Sequence, residues 1–123
     1  MLKDDFFTIS SIQKENNSFK ILLELNAIHK IFEGHFPGQP VVPGACMLQM
    51  VKEVTEIILN KKIQLIKADN IKFLLLINPN EYRTLQMDLT FNISEDGIAN
   101  VSVNLSNGSS VCFKFTGSFQ YTE

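Results

Sequence analysis

The stretch that decides the fold is residues 35–53, which read HFPGQPVVPGACMLQMVKE. It opens on a histidine, and three prolines and two glycines follow before residue 45. Pro43 and Gly44 predict the start of a helix, because the N–H that proline lacks would have no intrahelical partner in the first turn. The stretch therefore joins a proline-rich loop to a helix.

The predicted helix spans residues 43–60 and has one apolar face. Apolar side chains recur at helical spacing along it, at Met50, Val51, Val54, Ile57 and Ile58. This periodicity is typical of a helix that packs on a core along one side. The opposite, polar face carries Lys52, Glu53, Glu56 and Asn60. At about 1.5 Å per residue the helix would be roughly 27 Å long, which is enough to cross a small domain.

Alternating apolar and polar residues predict β-strands before and after the helix. The predicted strands are residues 6–12, 19–25, 63–77, 84–93, 99–105 and 111–115. A short helical turn at residues 27–33 leads to the loop, and His29 within it is expected to be solvated or to cap the turn. Each of these strands has one apolar face, and these faces need a common apolar partner to cover them. The helix at residues 43–60 is the only long helix that the sequence predicts. The pattern therefore predicts the α+β class, with a curled antiparallel sheet of about six strands wrapped around one central helix.

The length and charge of the chain narrow the class of protein. Its 123 residues predict a single domain over residues 1–123. The formal net charge is −2, so no basic surface indicates a nucleic-acid partner. No run approaches the ~20 apolar residues of a membrane span, and residues 1–7 carry acids where a signal peptide is apolar. We expect a cytoplasmic protein with no membrane partner, in which Cys46 and Cys112 are reduced and Cys46 packs in the core.

Residues 34–44 and the helix that follows resemble the signature of the 3-hydroxyacyl-acyl-carrier-protein dehydratases, the FabZ and FabA type of the hotdog fold. The resemblance implies that His35 is the catalytic base and that Gly44 offers a backbone amide to the thioester oxygen. It also implies an acid five residues after Gly44. Gln49 stands there instead, and Glu53 stands where the family usually has glutamine. Glu53 is therefore a candidate for a displaced acid.

The implied reaction removes water from a 3-hydroxyacyl thioester carried by acyl-carrier protein or by CoA. An imidazole titrates near neutral pH and can act as the base. An amide at a helix N-terminus can hold the developing oxyanion. Glutamine can hydrogen-bond the departing hydroxyl but has no proton to give at useful cost. Phe36, Val42 and Met47 either line an acyl tunnel or pack in the core, and no metal or organic cofactor is implied.

The predicted strand at residues 63–77 ends in FLLLI and is apolar on both faces. Such a strand lies inside the sheet or, as the resemblance favours, pairs with its copy in a second subunit. In the family, the histidine of one subunit faces the acid on the partner's helix. We therefore expect a homodimer, or a heterodimer in which a paralogue supplies the missing acid.

Three functions stay open at this point. The first is a 3-hydroxyacyl-thioester dehydratase of acyl-chain synthesis, with reduced activity or a need for a partner subunit because Gln49 replaces the acid. The second is a hotdog acyl thioesterase, in which Gln49 or Glu53 orients an attacking water. The third is a non-catalytic acyl-binding or partner subunit that kept the fold and lost the acid.

Overall fold

The computed structural model describes residues 1–33 and 40–122. The strands are β1 (Phe7–Glu15), β2 (Ser18–Leu25), β3 (Ile63–Phe73), β4 (Thr84–Ile93), β5 (Ile98–Ser106) and β6 (Val111–Tyr121). The helix α1 is Gly44–Leu59, and a 3-10 helix at Lys30–Phe32 precedes it. Within these described residues no helix has the length and apolar character that crossing a membrane requires.

All six strands belong to one antiparallel sheet in the order β1-β2-β4-β5-β6-β3. The sheet curls around α1, and one hydrophobic core forms between the helix and the inner faces of the strands. Its fully buried side chains include Ile21, Leu23, Met50, Leu85, Met87, Leu89, Leu105, Phe113 and Phe115. This is the hotdog arrangement, so the predicted α+β class and fold are confirmed.

The helix α1 begins and ends within one residue of the prediction. Pro43 is its N-cap, and Asn60 is its C-cap in a left-handed conformation with φ of 54°. The Asn60 N–H bonds back to the carbonyls of Glu56 and Ile57, which ends the helix. The buried residues of α1 are Cys46, Met47, Met50, Val51, Glu53, Val54 and Thr55. Glu53 belongs to this face, so its predicted place on the solvent face is wrong.

Two strands are longer than the side-chain pattern predicts. β1 continues to Glu15 because residues 13–15 keep pairing with residues 18–20 of β2. Residues 13–15 are polar and exposed. They still form a strand because the backbone hydrogen bonds between strands do not need apolar side chains. β6 likewise continues to Tyr121, where Ile63 of β3 pairs with it.

β3 is an edge strand, and it is shorter than predicted. It ends at Phe73 because the N–H groups of Leu74 and Leu75 both turn to the Cys112 carbonyl, at 2.8 and 3.2 Å. Among the residues that the structure describes, it pairs only with β6. Every residue from 64 to 76 is exposed, including four of the five apolar residues of FLLLI. Of the two alternatives for this segment, the one that makes it an interior strand of the chain's own sheet is therefore wrong.

The pairing of β3 with β6 is interrupted by two bulges. Ile66 and Asp69 are extra residues on β3 that have no partner in the register. Between them the Lys67 carbonyl presses on β6, where a Cβ built on Gly117 would lie 2.6 Å from its oxygen. A residue without a side chain is therefore needed at position 117.

Candidate active site

An open apolar cavity of about 360 Å³ lies at the N-terminal end of α1. It lies between the chain around the start of α1 and the chain around the end of β3. Its lining residues are Val41, Val42, Pro43, Gly44, Met47, Phe73, Leu74, Leu75 and Leu76. A hydrogen bond of 2.9 Å from the Val42 N–H to the Ile77 carbonyl ties the two segments together. Because its lining is mostly apolar, the cavity fits a hydrocarbon group better than a charged one.

Gly44 is the first residue of α1 and lies against the ring of Phe73. A Cβ built on Gly44 would lie 2.8 and 2.9 Å from two atoms of that ring, so only glycine lets the ring pack this closely. No described residue accepts a hydrogen bond from the Gly44 N–H, which is one of the amides that a helix leaves unpaired. This N–H and the helix dipole favour a negatively charged oxygen at this end of the cavity.

The structure brings three of the predicted site residues to this cavity. Gly44, Val42 and Met47 line it, and the side chains of Val42 and Met47 are also buried in the core. The leucines at residues 74–76 complete the wall, and the sequence pattern had assigned them to a strand. His35 and Phe36 lie outside the described residues, so their roles stay predictions.

Gln49 and Glu53 form a hydrogen-bonded pair further along α1. The Gln49 Nε2 donates to Glu53 Oε2 at 2.8 Å. The Glu53 carboxylate also accepts the N–H of Leu2, at 2.8 Å to Oε2 and 3.1 Å to Oε1, and the N–H of Lys3, at 2.8 Å to Oε1. Only 2% of Glu53 is exposed. A carboxylate can be buried this deeply because several donors converge on it.

These contacts set the protonation of Glu53. Burial raises the pKa of the carboxyl, but the hydrogen bonds from the Leu2 N–H, the Gln49 side chain and the Lys3 N–H lower it, as does the nearby N-terminal charge. The net effect is a pKa below the ordinary value for glutamate. The carboxylate, which has no proton to donate, is therefore the favoured form at neutral pH.

Sequence reasoning missed the donors that hold Glu53. They are backbone N–H groups of Leu2 and Lys3, about fifty positions earlier in the chain. Because almost every residue has a backbone N–H, the type of residue does not indicate which of these groups will bind a carboxylate. The pair formed by Gln49 and Glu53 does not contribute to the lining of the apolar cavity. Gln49 is half-buried and lies five residues after Gly44, about 7.5 Å along the helix axis.

The remaining titratable residues singled out in the sequence have structural roles. Cys46 is buried, and burial raises the pKa of its thiol, which agrees with a core residue rather than a nucleophile. The His29 Nδ1 accepts the Ile31 N–H at 3.0 Å and so caps the 3-10 helix, as predicted. In the part of the chain that the structure describes, no group of three His, Cys, Asp or Glu residues is arranged to hold a metal.

Comparison with known proteins places these features in a family. The family model for ApeI-like proteins, described as ApeI dehydratase, matches residues 11–112. A 3-hydroxyacyl-acyl-carrier-protein dehydratase FabZ of Wolbachia pipientis wMel is 29% identical over 79 residues, which cover 58% of this chain and 55% of that protein. The FabZ of Aeromonas hydrophila is 28% identical over 111 residues, which cover 82% of this chain and 71% of that one. The chain thus spans little more than half the length of the Wolbachia relative.

A solved structure with the same fold is the dehydratase heterocomplex ApeI:P from Xenorhabdus doucetiae. Its matched chain has a TM-score of 0.72 and 18% sequence identity, over 91% of this chain and 96% of that one. At this identity the likeness concerns the fold.

Proposed function

The chain belongs to the ApeI-like dehydratase family, and on that premise we propose that it acts on 3-hydroxyacyl thioesters in acyl-chain synthesis. The carrier of the acyl group is acyl-carrier protein or CoA. The observation that carries the proposal is the apolar cavity of about 360 Å³ at the N-terminus of α1, with the Gly44 amide at its end. It offers an apolar wall for an acyl chain next to a donor for a thioester oxygen.

The proposed reaction needs three groups: a base, a hydrogen-bond donor for the oxyanion and an acid. His35 removes the proton beside the carbonyl, and the electron pair moves onto the thioester oxygen, which the Gly44 N–H stabilises. The electrons then return to form the carbon–carbon double bond, and the 3-hydroxyl leaves with a proton as water. That last proton needs a donor, which is the role of the family's acid.

This chain alone has no evident general acid to protonate the leaving hydroxyl. Gln49 occupies the acid's position, and an amide does not give up a proton at useful cost. Glu53 is held as a carboxylate by its three donors. Because general acid catalysis is typically worth about 10² to 10⁴ in rate, we expect the isolated chain to be a slow dehydratase. A paralogous subunit would supply the acid in a heterodimer, and the similarity to a chain of a dehydratase heterocomplex agrees with this.

The exposed strand β3 is the proposed interface with that second subunit. Its free edge carries exposed apolar side chains: Leu65 and Ile66 are 44% and 49% exposed, and Phe73 is 54% exposed. An apolar edge of this kind invites pairing with another strand. The apolar cavity borders the same region through residues 74–76, so a partner on β3 would also close the cavity.

The interface is tested by charge substitutions at the two edges of the sheet. Ile71 on β3 is 37% exposed, and Ile12 on β1 at the opposite edge is 42% exposed. The Ile71→Glu variant should shift the dimer to a monomer in sedimentation experiments, while the matched Ile12→Glu variant should not. Equal behaviour of both variants would contradict the assignment of the interface to β3.

The reaction is tested by incubating the protein with a 3-hydroxyacyl thioester and with the matching enoyl thioester. Interconversion of the two at a low rate, abolished in His35→Ala, is the expected result. Release of free thiol instead would identify a thioesterase. No reaction of either kind, combined with activity on adding the native partner, would identify a non-catalytic partner subunit.

The Gln49→Glu variant tests the missing acid directly. It would place a second carboxyl beside the Glu53 carboxylate, within the present 2.8 Å contact. Glu53 keeps its negative charge through the two backbone amides, so the new carboxyl keeps its proton at higher pH than usual. A protonated acid at the family's position should raise the dehydration rate by about 10²-fold or more, and an unchanged rate would contradict the proposal.

A further inference from the structure

Three asparagine side chains fold back over the backbone that follows them, and they differ in the residue that comes next. Each accepts a hydrogen bond at Oδ1 from the N–H two positions later in the chain. The donors are Ile28 for Asn26 at 3.2 Å, Asn80 for Asn78 at 2.9 Å, and Ser109 for Asn107 at 3.2 Å. The residue directly after the asparagine is Ala27, Pro79 and Gly108 in turn. The same side-chain hydrogen bond is therefore combined with three different backbone nitrogens.

The Asn107 side-chain carbonyl is held by more donors than the other two. Its Oδ1 also accepts the N–H of Ser110 at 3.0 Å and lies 3.4 Å from the Ser109 hydroxyl, so three donors converge on it. Donors placed around a carbonyl oxygen stabilise the negative charge that forms there when a nucleophile adds to the carbonyl carbon. The turn thus activates the Asn107 Cγ toward attack.

The backbone nitrogen of Gly108 is available as the nucleophile. In the part of the chain that the structure describes, its N–H donates no hydrogen bond, whereas the N–H of Gly97 in another turn donates to a carbonyl at 3.0 Å. Gly108 is exposed, and a Cβ built on it would meet nothing within 4 Å. By contrast, Pro79 has no N–H to lose, and Ala27 carries a methyl group next to its nitrogen.

We propose that Asn107 is a site of spontaneous deamidation in the folded protein. The Gly108 nitrogen loses its proton and bonds to the Asn107 Cγ, which closes a five-membered succinimide ring. Covalent connection already holds the two reacting atoms near each other. The bond from Cγ to Nδ2 then breaks, and Nδ2 leaves with the proton as ammonia.

Water opens the ring at either of its two carbonyls. Opening at Cγ gives aspartate at position 107, and opening at the main-chain carbonyl gives isoaspartate, in which the chain continues through the former side chain. No oxidant or cofactor takes part.

Either product adds one negative charge to the turn between β5 and β6, which changes the formal net charge from −2 to −3. An aspartate carboxylate accepts the N–H groups of Ser109 and Ser110 more strongly than an amide oxygen does, so this product fits the turn. Isoaspartate lengthens the main chain and disturbs the 3.1 Å hydrogen bond from the Asn107 N–H to the Ser110 carbonyl. The turn does not line the acyl cavity, so the proposal does not depend on the proposed function.

Peptide mapping by mass spectrometry tests the proposal on the folded full chain after incubation in warm, mildly alkaline buffer. The peptide that contains Asn107 should gain one mass unit and separate into two chromatographic peaks, the aspartate and isoaspartate forms. The peptides that contain Asn26 and Asn78 should keep their mass, because they have the same hydrogen bond but a hindered or absent N–H. An unmodified Asn107, or equal modification of all three asparagines, would overturn the proposal.

Two comparisons separate the nucleophile from the donors. The folded protein should be modified at Asn107 about three- to tenfold faster than the chain unfolded in guanidinium chloride, because unfolding removes the converging donors. Slower modification of the folded protein would overturn the activating role of the turn. Gly108→Ala should lower the rate about tenfold or more, because the added methyl group hinders the nitrogen. If this variant does not fold, its unfolded chain is compared with the unfolded wild type, and equal rates would overturn the role of Gly108.

Discussion

Replacing Glu53 with methionine should lower the free energy of unfolding by about 2–4 kcal/mol. The variant leaves the N–H groups of Leu2 and Lys3 and the Gln49 amide without their present acceptor. A hydrogen bond to a charged group contributes about 1.5–3 kcal/mol, and water can replace part of it because these donors are only partly buried. The loss is large against a total stability of about 5–15 kcal/mol for a typical domain.

The effect should depend on pH in a defined direction. The pKa of Glu53 is lowered in the folded protein, while that of an unfolded glutamate is about 4.3. The carboxylate therefore contributes its full stability above about pH 4.3, and this contribution is lost as the pH falls through the folded pKa. The difference between wild type and Glu53→Met should thus be largest near neutral pH and shrink in acid.

The measurement is urea unfolding at a series of pH values, followed by far-ultraviolet circular dichroism because the chain has no tryptophan. One protein concentration is kept throughout, since a dimer's stability depends on it. Gln49→Met is the control, because it removes one donor and leaves both backbone contacts in place, and it should cost less than half as much. A Glu53→Met variant as stable as the wild type at neutral pH would show that the hydrogen bonds of Glu53 to Leu2, Lys3 and Gln49 do not stabilise the fold.

Three further predictions concern packing. Gly44→Ala should displace the ring of Phe73, lowering stability by about 1–2 kcal/mol in thermal unfolding, and Phe73→Leu in the same chain should restore part of it. Gly117→Ala should cost more than Gly44→Ala, because its Cβ meets a backbone carbonyl at 2.6 Å rather than the end of a side chain. Both cysteine thiols should react slowly with a disulfide reagent at neutral pH and rapidly in urea, because burial raises the pKa of each; fast reaction of the folded protein would contradict this.

Local patterns in the chain predicted the elements that depend on local physics. Pro43 marks the start of α1 because its ring fixes φ, and Asn60 marks the end because asparagine tolerates the left-handed conformation that it adopts there. The alternation along β4 and β5 reflects one face on the core, and both strands lie in the middle of the sheet. At the sheet edges the same reasoning failed. β1 continues through polar residues, and β3 stops within an apolar run.

The candidate site was likewise predictable only where it depends on local sequence. Gly44, Val42 and Met47 were identified from a motif and meet at one cavity. The burial of Glu53 was not predictable from its neighbours, because the groups that stabilise it come from the first residues of the chain. A charged residue on a helix is usually solvated, and only the folded arrangement distinguishes this one.

The irregular pairing of β3 bears on how an exposed apolar strand avoids indiscriminate polymerisation. A regular open edge is a template on which strands of almost any sequence can add. At Ile66 and Asp69 the spacing of the backbone groups is interrupted twice, so an incoming strand can follow the whole edge only if its own interruptions fall at matching places. A strand without such interruptions can pair with only part of the edge. The two bulges therefore make this edge a poorer template for indiscriminate strand addition than a regular one.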